Sequence, residues 1–115
     1  MLYLRFKFEK MEKELIRCQW CLSSDLYKKY HDEEWGRPVR DSRALFELLC
    51  LEGQQAGLSW ITVLKKRENY RKQFHNFDPQ KMARMTAEDV ERLLQDSGLI
   101  RHRGKIEALI GNARV

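Results

Sequence analysis

The chain has 115 residues, enough for one domain and short of two. It carries 22 Lys and Arg against 17 Asp and Glu, a net charge of +5, with the 43% hydrophobic content of a globular protein. No apolar stretch approaches the ~20 residues of a membrane span. The basic balance suits a polyanionic partner such as nucleic acid, and it equally suits a merely soluble basic domain.

The opening "MLYLRFKFEK" sets Leu2, Leu4, Phe6 and Phe8 at strand-like spacing among cations. It lacks the continuous apolar run and small-residue cleavage site of a secretory signal. Met11 is the expected natural start, with residues 1–10 a translated leader. Residues 1–13 as a whole are expected to be disordered or weakly ordered ahead of a domain over 14–115. Three cysteines without an export signal point to the reducing cytoplasm, and to metal binding before a disulfide.

Helices joined by short turns follow. "SDLYKKYHDEEW" predicts a helix over 24–35 with Ser23 or Ser24 as cap, and Pro38 then breaks the chain. Asp41 or Ser42 caps a second helix to about Gln55, with Gly53 and Gly57 bracketing its loose end. Ser59 opens a third helix to about Phe74, closed by "HNFD". Asp78 and Pro79 make an N-cap and first helical position, Thr86 and Asp89 resemble a capping box, and Gly98 is a stop signal. A sixth helix begins near Arg103 and is still running at Val115. The class is therefore all-α, incomplete at its C-terminus.

The second helix raises the main chemical question. Leu45, Leu48 and Leu49 define its expected buried stripe, and Glu52 lies seven, four and three residues beyond them on the same stripe. A buried carboxylate needs a partner or a proton. Either the helix end lets Glu52 reach water or a backbone amide, or Glu52 is the floor of a pocket for a polar or cationic ligand. Tyr27, Tyr30, His31 and Glu34 share a face of the first helix, Trp35 follows His31 by four, Trp20 precedes them and Trp60 opens the third helix. Such aromatics serve as core, or as a cage whose ring faces attract a flat cation.

"CQWC" places Cys18 and Cys21 at C-x-x-C spacing, followed by His31. A redox reading needs a βαβ context, which is absent; half a zinc site is the alternative, three ligands where a tetrahedral site takes four. Cys50 sits in the apolar helix as inert core, and His75 and His102 belong to the surface. "KKREN" reads as a solvated face, and "RHRGK" could meet phosphate at a helix N-terminus.

The segments "RCQW", "LYKKYHDEEWG", "DSRALFELLCLEGQQAGLSWITVLKKRENYR" and "LIRHRGKIEALIGNAR" resemble the bacterial 3-methyladenine DNA glycosylase I family over about Glu14 to Val115. The resemblance implies a helical bundle of the helix-hairpin-helix DNA glycosylase type, of which this is the N-terminal portion. It implies base-excision repair: hydrolysis of the N-glycosidic bond of N3-methyladenine in alkylated double-stranded DNA, with free 3-methyladenine as product. The family's base-recognising glutamate falls on Glu52, and its pocket aromatics on Tyr27, Tyr30, Trp35 and Trp60. Its zinc ligands fall on Cys18 and His31, with the other two, one His and one Cys, beyond Val115. Cys21 matches no ligand position of the family, so a three-ligand site of Cys18, Cys21 and His31 is a separate expectation. A cytoplasmic monomer, inactive as this chain alone, is the overall expectation. The competing readings are an inactive truncated fragment and a small zinc-dependent nucleic-acid-binding module.

Overall fold

The computed structural model describes residues 16–115. The described residues divide into two compact units, 16–37 and 38–115, and the boundary falls at the sequence break before Pro38. The expected leader, residues 1–13, lies outside the described residues.

In the first unit a 3-10 turn, Gln19–Cys21, precedes helix α1, Asp25–Glu33. The turn carries no sequence signal of its own. It tucks Cys21 inward until it is fully buried, with its thiol donating to the Cys18 carbonyl at 3.0 Å. Ser24 begins α1: its Oγ accepts from the Tyr27 amide at 3.1 Å, and Asp25 adds a negative charge where the helix dipole is positive.

The second unit contains α2 (Ser42–Gln54), α3 (Trp60–Gln73), α4 (Pro79–Ala83), α5 (Ala87–Leu93) and α6 (Arg103–Arg114). Local chemistry sets each start. Asp41 accepts from the Ala44 amide at 2.9 Å, Asp78 accepts from the Gln80 amide at 3.0 Å, and Thr86 and Asp89 complete a reciprocal capping box. At α6 the cap is His102, whose Nδ1 accepts from the Lys105 amide at 3.1 Å. That ring therefore serves the helix start. The stop at Gly98 has a packing reason, because any Cβ there would collide with the Asn69 side chain.

Short α4 packs chiefly on α6, and α3 and α5 close the core from their own sides. Val63, Tyr70, Phe74, Phe77, Met82, Leu93, Leu99, Ile106 and Leu109 are its buried centre. Burying each large apolar side chain contributes about 1.5–3 kcal/mol. The "HNFD" closure carries a cost. His75, Asn76 and Phe77 all adopt left-handed backbone, with φ of 54°, 58° and 57°. Non-glycine residues give up about 1–2 kcal/mol each in that region. Two contacts offset it: Phe77 is buried and stacks on Phe74 at 6.4 Å, and Arg43 of α2 donates to the Asn76 and His75 carbonyls at 3.0 and 3.3 Å.

The buried face of α2 is not the expected one. Leu45 and Leu49 are 45% and 61% exposed, and Glu52 is exposed with them. Cys50, Leu51 and Gln54 point into the core, supported by partly buried Phe46. The reason is that "ALFELLCLE" is apolar on more than one face, so periodicity alone cannot choose between two stripes one residue apart. Cys50 is inert core as expected, and burial pushes its thiol up to about 11 although a hydrogen bond with Asn112 opposes the shift.

If Arg43 holds the left-handed turn, Arg43→Ala should lower the unfolding free energy by about 1–2 kcal/mol, as charge-assisted bonds to carbonyls suggest. Urea denaturation is the check, with Arg43→Lys recovering part of the loss.

Candidate functional site

The first unit gathers the aromatic residues around Trp20. The Trp20 ring lies 4.9 Å from Tyr27, 6.3 Å from Tyr30, 5.4 Å from His31 and 5.4 Å from Trp35, all edge-on. His31 and Trp35 stack at 5.3 Å with 16° between their planes. Helical spacing puts Tyr27, Tyr30 and His31 along one side of α1, and the preceding turn folds Trp20 back over them. Tyr27, Tyr30 and Trp35 thus come together as the sequence suggested. Trp20 is the residue that organises them, a role its position ahead of the helix did not reveal. Trp35 remains half exposed, and Tyr27 and Tyr30 are partly exposed.

An ion-pair network fixes the His31 ring. Arg17 grips Asp32 through Nε at 3.0 Å and Nη2 at 2.8 Å, and His31 Nδ1 meets Asp32 Oδ1 at 3.0 Å. Arg17 first, and His31 second, hold the Asp32 carboxyl down at about 2. A carboxylate on one imidazole nitrogen is the support that orients a metal-binding histidine toward its ligand with the other. His31 is therefore suited to ligate through Nε2. Cys21 is not: its thiol is spent on the Cys18 carbonyl. Among the described residues no three Cys, His, Asp or Glu come together in a way that could hold a metal, so the Cys18, Cys21 and His31 trio does not form.

In the second unit Glu52 stands on the last turn of α2, and Trp60, partly buried against the core, opens α3. The polar group on the buried face of α2 is Gln54, only 1% exposed. Both its amide oxygen and nitrogen have partners. Tyr70 Oη donates to Gln54 Oε1 at 2.9 Å, and Gln54 Nε2 donates to the Lys105 carbonyl at 3.0 Å. The Tyr70 oxygen in turn accepts from the Ile100 amide at 3.2 Å. Burial pushes the Tyr70 phenol up to about 12, so it stays a neutral donor. Lys105 Nζ then donates to the Gln54 and Ala56 carbonyls at 3.0 and 2.6 Å. A cation on the last carbonyls of a helix opposes the negative end of its dipole. Beyond it, Gly57 turns the chain with φ +79°. Sequence reasoning missed Gln54, Tyr70 and Lys105; a lone buried amide followed by a second glutamine was the only local hint.

A family model described as methyladenine glycosylase matches residues 20–115. The chain is 70% identical over 98 residues to DNA-3-methyladenine glycosylase 1 of Escherichia coli, covering 85% of this chain and 52% of that protein. It is 62% identical over 98 residues to the DNA-3-methyladenine glycosylase of Haemophilus influenzae, covering 85% and 53%. Among solved structures, a crystal structure of 3-methyladenine DNA glycosylase I superposes with a TM-score of 0.84 at 69% identity, over 86% of this chain and 54% of that one. A variant of 3-methyladenine DNA glycosylase I in complex with 3-methyladenine superposes with a TM-score of 0.81 at 45% identity, over 86% and 53%. The all-helical fold is thus that of the DNA glycosylases it superposes on. The chain belongs to the methyladenine glycosylase family, and it spans about half the length of the curated relatives it matches.

The Asp32 network predicts acid sensitivity in the first unit. The folded value near 2 lies below the ordinary 3.8, so the contribution is present above about pH 4 and is lost as pH falls toward 2. Trp20 and Trp35 indole resonances should shift across that window in the wild-type chain, and far less in Asp32→Asn.

Proposed function

We propose that this chain carries the base-recognising portion of a DNA repair glycosylase that removes N3-methyladenine from alkylated duplex DNA. Membership of the methyladenine glycosylase family, with a relative solved in complex with 3-methyladenine, is the observation that carries this reading.

Methylation at N3 makes adenine a delocalised cation while it remains bonded to deoxyribose. The base must leave the stack to be read, which removes it from the duplex at a cost of a few kcal/mol. In this reading Glu52 accepts hydrogen bonds from the extruded base and balances its charge, and Tyr27, Tyr30, Trp35 and Trp60 supply ring faces. Cation–π attraction contributes about 2 kcal/mol or more once water is excluded. A neutral adenine gains neither term, so charge itself discriminates damaged from undamaged base.

The chemistry asks little further of the protein. The N9–C1′ bond breaks, the electron pair leaves with the base, and the departing 3-methyladenine is neutral. Water adds its oxygen to C1′ and gives up a proton. Glu52 acts as an electrostatic recognition group and forms no bond to the sugar. Exposure of Glu52 at a helix end, with its carboxylate available to a ligand, supports that role.

Cys18 and His31 would supply two of the four ligands of a structural zinc, and the Asp32 contact on His31 Nδ1 supports the histidine's part. The remaining pair would come from the portion of the relatives that this chain does not span. The zinc would tie the turn before α1 to that portion and take no part in bond breaking. Such a protein works where the DNA is, in the cytoplasm of a bacterial cell, and as a monomer.

Release of 3-methyladenine from alkylated DNA, followed by chromatography of the freed base, is expected to be undetectable with residues 1–115 alone. It should appear when the polypeptide is extended to the relatives' length. In the extended form, Glu52→Ala should weaken binding of free 3-methyladenine by about tenfold or more, the loss of one charge-assisted contact. An unchanged dissociation constant removes Glu52 from the recognition site.

A further inference from the structure

Gln54, Tyr70 and Lys105 lie outside every role assigned above, yet they form a hydrogen-bonded network built around the buried amide of Gln54. Three separate elements contribute: the end of α2, the C-terminal half of α3 and the first turn of α6. The carbonyls of Gln54 and Ala56 both receive the same ammonium, at 3.0 and 2.6 Å. Glu52 belongs to that same helical turn, and its carbonyl accepts the Gln55 amide at 3.1 Å. Leu58 then closes onto the Gln55 carbonyl at 2.6 Å. The turn bearing Glu52 is thus held from inside by the Gln54 amide and at its end by the Lys105 charge.

We propose that Lys105 is a positioning residue for Glu52, acting through the carbonyls of Gln54 and Ala56, with Gln54 and Tyr70 as the buried anchor of the same clamp. The inference rests on the reading of Glu52 as the base-recognising carboxylate. A carboxylate that identifies a flat cation by hydrogen bonding must be held within a fraction of an ångström of its productive place. Helix ends fray, and this one leads into a glycine turn. An apolar contact cannot hold the last carbonyls of a helix in register. A lysine reaching from a distant helix can do so, because its bonds are directional and charge-assisted. Arginine, with its wider fork, can reach the same two oxygens. Methionine keeps the apolar stem and loses the charge.

The test uses the ¹⁵N-labelled polypeptide extended to the relatives' length, in wild-type, Lys105→Met, Lys105→Arg, Tyr70→Phe and Glu52→Gln forms. Two readouts are taken: amide hydrogen exchange at Gln55 and Leu58 relative to core amides such as Val63 and Leu93, and titration with free 3-methyladenine followed by amide shifts. Lys105→Met should speed exchange at Gln55 and Leu58 by about tenfold or more, with the core amides unchanged, and should raise the dissociation constant for 3-methyladenine by about tenfold. Lys105→Arg should recover most of both. Tyr70→Phe, which keeps the ring in the core and deletes one oxygen, should move both in the same direction and covers the case in which Lys105→Met fails to fold. If Glu52→Gln weakens binding and Lys105→Met and Tyr70→Phe do not, positioning is overturned while the recognition role of Glu52 stands. If the extended wild-type protein gives no shifts at millimolar 3-methyladenine, or Glu52→Gln binds as well as wild type, the reading of Glu52 fails and the positioning role falls with it.

Discussion

The buried amide of Gln54 is the constraint on which the second unit depends. An unpaired amide in a dry interior costs about 1–3 kcal/mol by mutational measure, so the helices around it must deliver partners at fixed distances. Tyr70 supplies the donor and Lys105 the carbonyl. Satisfying one side chain therefore sets where α3 and the start of α6 lie relative to the end of α2. Apolar contacts with Cys50 and Leu51 would permit several rotations of α2, and the amide selects one of them.

That selection has a consequence for the surface. With Gln54, Leu51 and Cys50 turned inward, Glu52 and Leu49 are turned outward on the same helix. The carboxylate is thereby kept out of the low-dielectric core, where ionisation would be expensive. It is exposed on the last turn of the helix. The fold thus separates two polar groups a pair of residues apart: an amide that holds structure, and a carboxylate left at the surface.

The first unit solves a comparable problem with different means. It is small, and its order comes from a ring cluster and an ion-pair chain. Trp20 meets four aromatic rings edge-on, while Arg17 and Asp32 fix His31 from the other side. Edge-to-face packing contributes about 0.5–1.5 kcal/mol per pair beyond burial. This leaves polar tips and one imidazole nitrogen directed by geometry. In the zinc reading proposed above, His31 would be the ligand that this network orients, through the Asp32 carboxylate.

The sequence by itself determined the helices and most of their boundaries. Ser24, Asp41, Asp78 and Thr86 all cap as their residue types dictate, because a cap joins groups only two or three residues apart. It also determined that the tyrosines and Trp35 meet, since helical periodicity is local, and its long matching segments identified the family. What the tertiary structure alone decided is which face of α2 is buried, and with it the exposure of Glu52. That choice is made by Tyr70 and Lys105, 16 and 51 residues from Gln54. No pattern within a single helix encodes a hydrogen bond across such a separation. A run apolar on several faces, such as "ALFELLCLE", leaves the decision to the partners that the rest of the chain brings to it.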